Sequence, residues 1–353
     1  MDKNAIRIIN KLDWESLSCL DRSLAFLFSL SKKNGYLPFL LSKYSSSNYL
    51  CGLANPNHGD KAYYDLMAKK AGLCLERVTC AGADLLKTLT DNDNITHGIV
   101  LLINNYYRPL SKHYQIKDHP HFVLLYGYNK DKKTIMVFDE PMEKEYWKKE
   151  NFALGVEYVE REMPLDNILS YAKKCDGFAK ELDFSIEEDS FYFYMVSASD
   201  NRPVSEKELL IDELRCLLAT KDEHVQYVEK ELNIFSKHLD NWLANIDLEN
   251  LETIEKISYC PNEWVLLRHH KNMMRVLASY FEEMAMNNFS LQFNDLFDSF
   301  RTLSTVLALV LLNKEKERIG ELEKRFISLL DREYALLKSV LDSFQYDYKT
   351  AIN

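Results

Sequence analysis

Residues 119–141, H-P-H-F-V-L-L-Y-G-Y-N-K-D-K-K-T-I-M-V-F-D-E-P, leave this chain the least freedom in how it folds. An apolar run over residues 122–128 is followed by the polar turn 129–133. A second β-rich run over 134–138 is closed by Asp139, just ahead of Pro141. Two such runs around a short polar turn read as a β-hairpin. Antiparallel pairing returns the end of the second strand to the start of the first. His121 and Asp139 are thereby expected to become neighbours. An imidazole held by a carboxylate is two thirds of a nucleophilic triad, and the nucleophile must come from elsewhere in the chain.

Cys19, in S-C-L-D-R-S-L-A-F-L-F-S-L, is the candidate. Leu20, Leu24, Leu27 and Phe28 recur at i, i+4, i+7 and i+8, the apolar stripe of a helix packed on a core. Ser18 followed three residues later by Asp21 resembles a capping box and starts that helix at Cys19. A thiol in a first turn faces unpaired backbone N–H groups and the positive end of the helix dipole, and both favour the thiolate. Asp21 opposes this if it points the same way. A lone cysteine at a helix start is ordinarily a small buried hydrophobe; the presence of His121 and Asp139 gives this one a chemical reading.

The rest of the first 200 residues alternates between the two periodicities. Helices are expected to about residue 31, then over 38–44, 60–71, 82–89 and 164–174. Strands are expected over 49–52, 74–78, 98–104, 155–162 and 191–197, with Asn105 to Pro109 as an exit loop. Composition changes around 199–203, taken as a boundary between domains 1–200 and 204–353. Beyond it no strand pattern recurs. Residues 205–220, 222–246, 262–286, 291–317 and 320–344 carry helical spacing, an up-down bundle or an irregular helical array. The fold class is therefore α+β, with an all-α C-terminal half.

The 353 residues suffice for two domains with sizeable cores. A net charge of −10 argues against a nucleic-acid partner, which calls for a basic face. The beginning of the sequence has no signal-peptide pattern, and its longest apolar run, 306–312, is far short of a membrane span. Seven scattered cysteines without a C-x-x-C pair fit a reducing cytoplasm. No membrane association is expected.

The order Cys19, His121, Asp139 is that of papain-like cysteine enzymes. The text L-L-I-N-N-Y-Y-R-P-L, then H-P-H-F-V-L-L-Y-G-Y-N, then I-M-V-F-D-E-P, resembles the amino-terminal domain of the butirosin biosynthesis protein H family. The likeness runs from about residue 18 to 141 and on toward 198. It implies a papain-like cysteine peptidase fold and an acyltransferase that moves an acyl group from a carrier-protein thioester to an amine. A related peptidase-fold protein acts as an amide synthase in closthioamide-type antibiotic assembly. By the family pattern Cys19 is the nucleophile, His121 the base and Asp139 the orienting acid. Two features depart from it. No Gln precedes the Cys, where Asp13, Trp14 and Glu15 stand, and Ser18 fills a position where relatives carry His. The implied partners are an acyl or peptidyl carrier protein and a small-molecule amine, in natural-product biosynthesis. No cofactor is implied, phosphopantetheine entering only on the carrier substrate. A hydrolase, peptidase or thioesterase, would use the same triad. A non-catalytic binding protein on a peptidase fold is the reading from another class.

Other residues have plainer readings. His119 and His121 share a strand face, but no motif-spaced ligand joins them to make a metal site. Arg108 and Lys112 offer positive charge for an anion such as a phosphopantetheine arm, against a simple loop role. Tyr106, Tyr107, Tyr126 and Tyr128 line either an acyl tunnel or the sheet. Cys74 and Cys80 are expected in the core, His269 and His270 at ordinary helix positions, and residues 314–318 on a solvated helix face. The helical half is open to three roles: shaping the acyl pocket, docking a carrier protein, or forming a homodimer.

Overall fold

The computed structural model describes residues 9–10, 18–31, 35–44, 61–90, 98–109, 111, 113–116, 118–140, 158–172, 190–198, 205–245 and 264–350. It is a mixed α and β structure, mostly helical, with a single antiparallel sheet among the described residues. The chain divides into two compact units, one of Met1–Phe39 and Asn55–Glu206, the other of Leu40–Ala54 and Lys207–Asn353.

In the first unit, helix α1 (Cys19–Ser31) starts where the capping box places it. Ser18 Oγ accepts from the Asp21 amide at 3.1 Å, and Asp21 Oδ2 accepts from the Ser18 amide at 3.0 Å and its hydroxyl at 2.9 Å. The sequence suggested one apolar stripe, yet every residue from Leu20 to Ser29 is buried. Two of the polar members are accommodated by bonding: Arg22 donates from Nη1 to the Ile9 carbonyl at 3.3 Å, and Ser23 Oγ donates to the Phe122 carbonyl at 3.1 Å. Helix α2 (Tyr36–Tyr44), whose residues from Leu40 on are assigned to the second unit, begins ahead of Pro38, which is tolerated because first-turn N–H groups have no helical partner. Helix α3 (Lys61–Lys70) follows. The short strand expected over 49–52 lies outside the described residues.

Strands β1 (Leu73–Ala81), β2 (Ile99–Asn104), β3 (Pro120–Asn129), β4 (Thr134–Asp139), β5 (Val159–Pro164) and β6 (Ser190–Ala198) form a sheet of order β1-β6-β2-β3-β4-β5. Helix α4 (Gly82–Thr90) follows β1 and helix α5 (Leu165–Ala172) follows β5. The continuous apolar run of β2, I-V-L-L-I-N, is buried throughout, as a strand covered on both faces requires. On one face Leu101, Val123, Leu125 and Val137 pack with Leu85 of α4 and Ile168 of α5. On the other, α1 lies against the sheet, with the rings of Phe26 and Phe138 4.0 Å apart. Each such side chain, fully buried, contributes about 1.5–3 kcal/mol.

The hairpin forms as its pattern requires. Leu124 pairs with Phe138 and Leu125 with Val137, and a bulge at Gly127 (φ 62°) absorbs the extra residue between Tyr126 and Tyr128. One step beyond the last pair, Asp139 falls opposite Val123, two residues from His121 and on the same face. Such diagonal neighbours lie within reach of long side chains.

The second unit contains α6 (Glu206–Ala219), α7 (Lys221–Asn245), α8 (Val265–Glu283), α9 (Asn287–Leu312) and α10 (Ile319–Thr350), with no strand among its described residues. Helix α9 packs against α8 and α10, and α10 also against α7. The charged run expected on a helix face instead makes the turn between α9 and α10. Lys314 adopts a left-handed conformation there (φ 58°), which ends α9 before Lys316–Arg318 form a 3-10 turn. No helix of the described residues is long and apolar enough to cross a membrane.

Candidate active site

The hairpin delivers His121 and Asp139 to each other. His121 Nε2 lies 2.7 Å from Asp139 Oδ1, and the two residues are 2% and 3% exposed. A carboxylate only accepts, so Nε2 carries the proton of this bond, and Nδ1 is the nitrogen that remains to exchange one. His121 makes no described hydrogen bond through Nδ1. Asp139 Oδ1 also accepts from the Glu140 amide at 2.7 Å, and its Oδ2 accepts from Arg108 Nη2. The Glu140 carboxylate approaches His121 Nε2 at 3.9 Å.

Arg108 is a participant that neither sequence reading, anion binder or plain loop residue, identified as the partner of Asp139. It is 3% exposed and paired with Asp139, so its guanidinium is committed to the carboxylate rather than offered to an anionic ligand. Two adjacent asparagines at the end of β2 fold it there. Asn104 Oδ1 accepts from the amides of Tyr106 at 3.0 Å and His119 at 3.1 Å, and its Nδ2 donates to Asp118 at 2.8 Å. Asn105 Oδ1 accepts from Arg108 Nη1 at 3.3 Å while its backbone amide donates to the His119 carbonyl at 2.9 Å. The expected exit loop is thus a 3-10 turn, Asn105–Tyr107, pinned across the mouth of β2 and β3. The N-N-Y-Y-R string carried this signal, since Asn side chains favour such local bonds.

Cys19 is half-buried in the first turn of α1 and makes no described hydrogen bond. Asp21 does not aim at it: one oxygen serves Ser18 and the other accepts from the Tyr64 hydroxyl at 3.0 Å. Burial opposes charge on His121, but Asp139 first, then Glu140 and Cys19, outweigh it and hold the imidazole well above its ordinary pKa. Burial likewise opposes charge on Asp139; Arg108 and then His121 overcome this and hold the carboxyl below its usual range. Tyr158, in the residue before β5, is a neighbour the sequence did not flag. Its ring lies beneath Arg22, 5.4 Å from the guanidinium, and burial followed by Cys19 and Glu140 pushes its hydroxyl well up. Asp13, Trp14 and Glu15, noted upstream of Cys19, lie outside the described residues, as does Lys112.

The remaining candidates take structural positions. His119 stacks on His113 with ring centroids 3.9 Å apart, and its Nδ1 lies 3.3 Å from Asn105 Nδ2. Among the described residues no three His, Cys, Asp or Glu side chains are grouped as metal ligands. Tyr107 and Tyr128 pack against the sheet core, and Tyr126 donates to Glu160. Cys74 is exposed rather than buried, standing opposite the exposed Ser197 near the start of β1, while Cys80, on the same face of the strand, is partly buried against the core. In the second unit His270 is no ordinary position: its Nδ1 lies 2.7 Å from Glu333 Oε2, both side chains buried, and its ring is 5.0 Å from that of His224. His224 Nδ1 lies 2.7 Å from the Tyr334 hydroxyl.

No known family model matches the chain, and no curated protein matches it.

Proposed function

We propose that this protein is a cysteine-dependent acyltransferase on a papain-like unit, forming an amide from a carrier-protein thioester and an amine. The observation that carries the reading is the buried His121–Asp139 contact, made through Nε2, on an imidazole that also feels the charge of Cys19. Charge balance supports the same assignment. Arg108 already neutralises Asp139, so a protonated His121 needs a further anion, and the Cys19 thiolate supplies one alongside Glu140.

In the first half-reaction His121 Nδ1 holds the thiol proton. The Cys19 thiolate attacks the thioester carbonyl, and a backbone N–H of the first turn of α1 donates to the developing oxyanion. The tetrahedral intermediate collapses with cleavage of the carbon–sulfur bond to the carrier, whose thiolate takes the proton from His121. In the second half-reaction the amine attacks the acyl-enzyme and His121 accepts its proton. The amide forms as Cys19 leaves as thiolate. Asp139, fixed by Arg108, keeps Nε2–H pinned and Nδ1 presented through both halves.

Product analysis tests the reading. Incubation with an acyl thioester and a panel of amines is expected to yield amide in preference to free acid. Free acid alone, unaffected by added amine, makes the protein a hydrolase using the same triad.

A further inference from the structure

On the α1 side of the sheet, Arg77 of β1 stands directly across from Tyr194 of β6. Its guanidinium lies over the Tyr194 ring, 5.5 Å from Cζ to the ring centroid. Nε and Nη2, the two nitrogens along one edge of the guanidinium, are shielded from solvent and complete no well-aligned hydrogen bond, although Arg77 as a residue is half-buried; the Tyr194 hydroxyl, on a residue that is 0% exposed, interacts with Arg77 and with Tyr192. No carboxylate of the described residues pairs with Arg77. Asp65 of α3 acts on Tyr192 and Tyr194. This departs from the usual rule, since buried polar groups are bonded and buried cations are paired. Nε–H and Nη2–H point in parallel, the fork that takes two oxygens of one carboxylate or phosphate. Stacking on the ring fixes the plane of that fork. β1 is the outer strand of the sheet, so the guanidinium sits at its rim. Tyr64, which acts on Tyr194, bonds Asp21 two residues after Cys19, and so places this niche in the same layer as the start of α1.

We propose that Arg77 and Tyr194 form an oxyanion subsite, the guanidinium edge gripping a phosphate or carboxylate group of a ligand and the tyrosine hydroxyl donating a third bond. The subsite stands apart from the acyl-transfer reading, because anion binding here is measurable whether or not Cys19 carries an acyl group.

Thermal unfolding of the full chain tests it, with inorganic phosphate, acetate and chloride compared at matched ionic strength. Wild type is expected to gain several degrees in Tm with phosphate or acetate and none with chloride. Arg77→Met is expected to lose that gain, with a Tm in chloride no lower than that of wild type, since the substitution removes a half-buried charge that has no carboxylate partner among the described residues. Tyr194→Phe keeps the ring and should need several-fold more anion for the same shift. A response to phosphate alone assigns a phosphorylated ligand such as a carrier arm, and a response to acetate alone assigns a carboxylate ligand. Absence of any anion-specific gain in wild type overturns the subsite, as does a full gain retained in Arg77→Met or, should that variant not fold, in Tyr194→Phe.

Discussion

His121 Nε2 and Asp139 Oδ1 stand 2.7 Å apart in a buried setting, and Arg108 occupies the other oxygen of the same carboxylate. The carboxylate raises the pKa of the imidazole, so replacing it with an amide lowers that pKa. For Asp139→Asn, kcat/KM for acyl transfer should fall by about 10²–10⁴. The alkaline limb of its pH profile should also move to lower pH. Steady-state rates across pH check both, and an unmoved limb contradicts the orienting role.

The same group makes a stability statement whose sign changes across pH. The raised pKa of His121 stabilises the fold fully below its unfolded value of about 6.5, and this is lost as pH rises through the folded value. The lowered pKa of Asp139 stabilises the fold above about 3.9, and this is lost as pH falls through the folded value. Wild type should therefore exceed Asp139→Asn in stability most between roughly pH 4 and 6.5. Arg108→Met, which strips one partner from a buried pair, should cost about 3 kcal/mol. Urea unfolding at several pH values measures both; a loss under 0.5 kcal/mol for Arg108→Met sinks the pairing argument.

In the helical unit, burial first and then His270 push the pKa of His224 down to about 3. The folded protein keeps His224 neutral, whereas the unfolded chain takes up a proton below about pH 6.5, so this residue costs stability as pH falls. His224→Gln, which can still bond Tyr334, should unfold at lower pH than wild type in an acid titration followed by circular dichroism. An acid midpoint that stays put or rises counts against this.

Gly98 enters β2 at φ 79°, where a Cβ would lie 2.9 Å from Leu30 Cδ1 and 3.2 Å from the Leu125 carbonyl oxygen. Both the left-handed backbone and the contact with α1 oppose a side chain. Gly98→Ala should cost more than about 1 kcal/mol by urea unfolding. A neutral substitution would mean that α1 can shift away from the sheet at Leu30.

What was legible in the sequence was local. The hairpin and α1 are specified by alternation, turn chemistry and a capping box, all within a few residues of one another, so their bounds were readable. His121 and Asp139 were readable as neighbours because strand pairing is regular. Arg108 was not, because its partner lies 31 residues away and the approach depends on how Asn104 and Asn105 tie the loop after β2. The His270–Glu333 pair spans 63 residues and two helices, and helical spacing reports only that such positions are buried. Cys74 misled because burial changes along a single strand face: it shares that face with Cys80, but stands near the start of β1 opposite the exposed Ser197. Arg77 carried no sequence signal, since its orphaned edge follows from the pairing of β1 with β6.

The most direct measurement is intact-protein mass spectrometry after mixing the protein with a panel of acyl thioesters, wild type beside Cys19→Ser. A mass increase equal to the acyl group is expected on wild type alone, discharged by added amine with release of the amide. No adduct on wild type with any thioester, or an equal adduct on Cys19→Ser, would contradict the assignment of Cys19 as the acyl-bearing nucleophile.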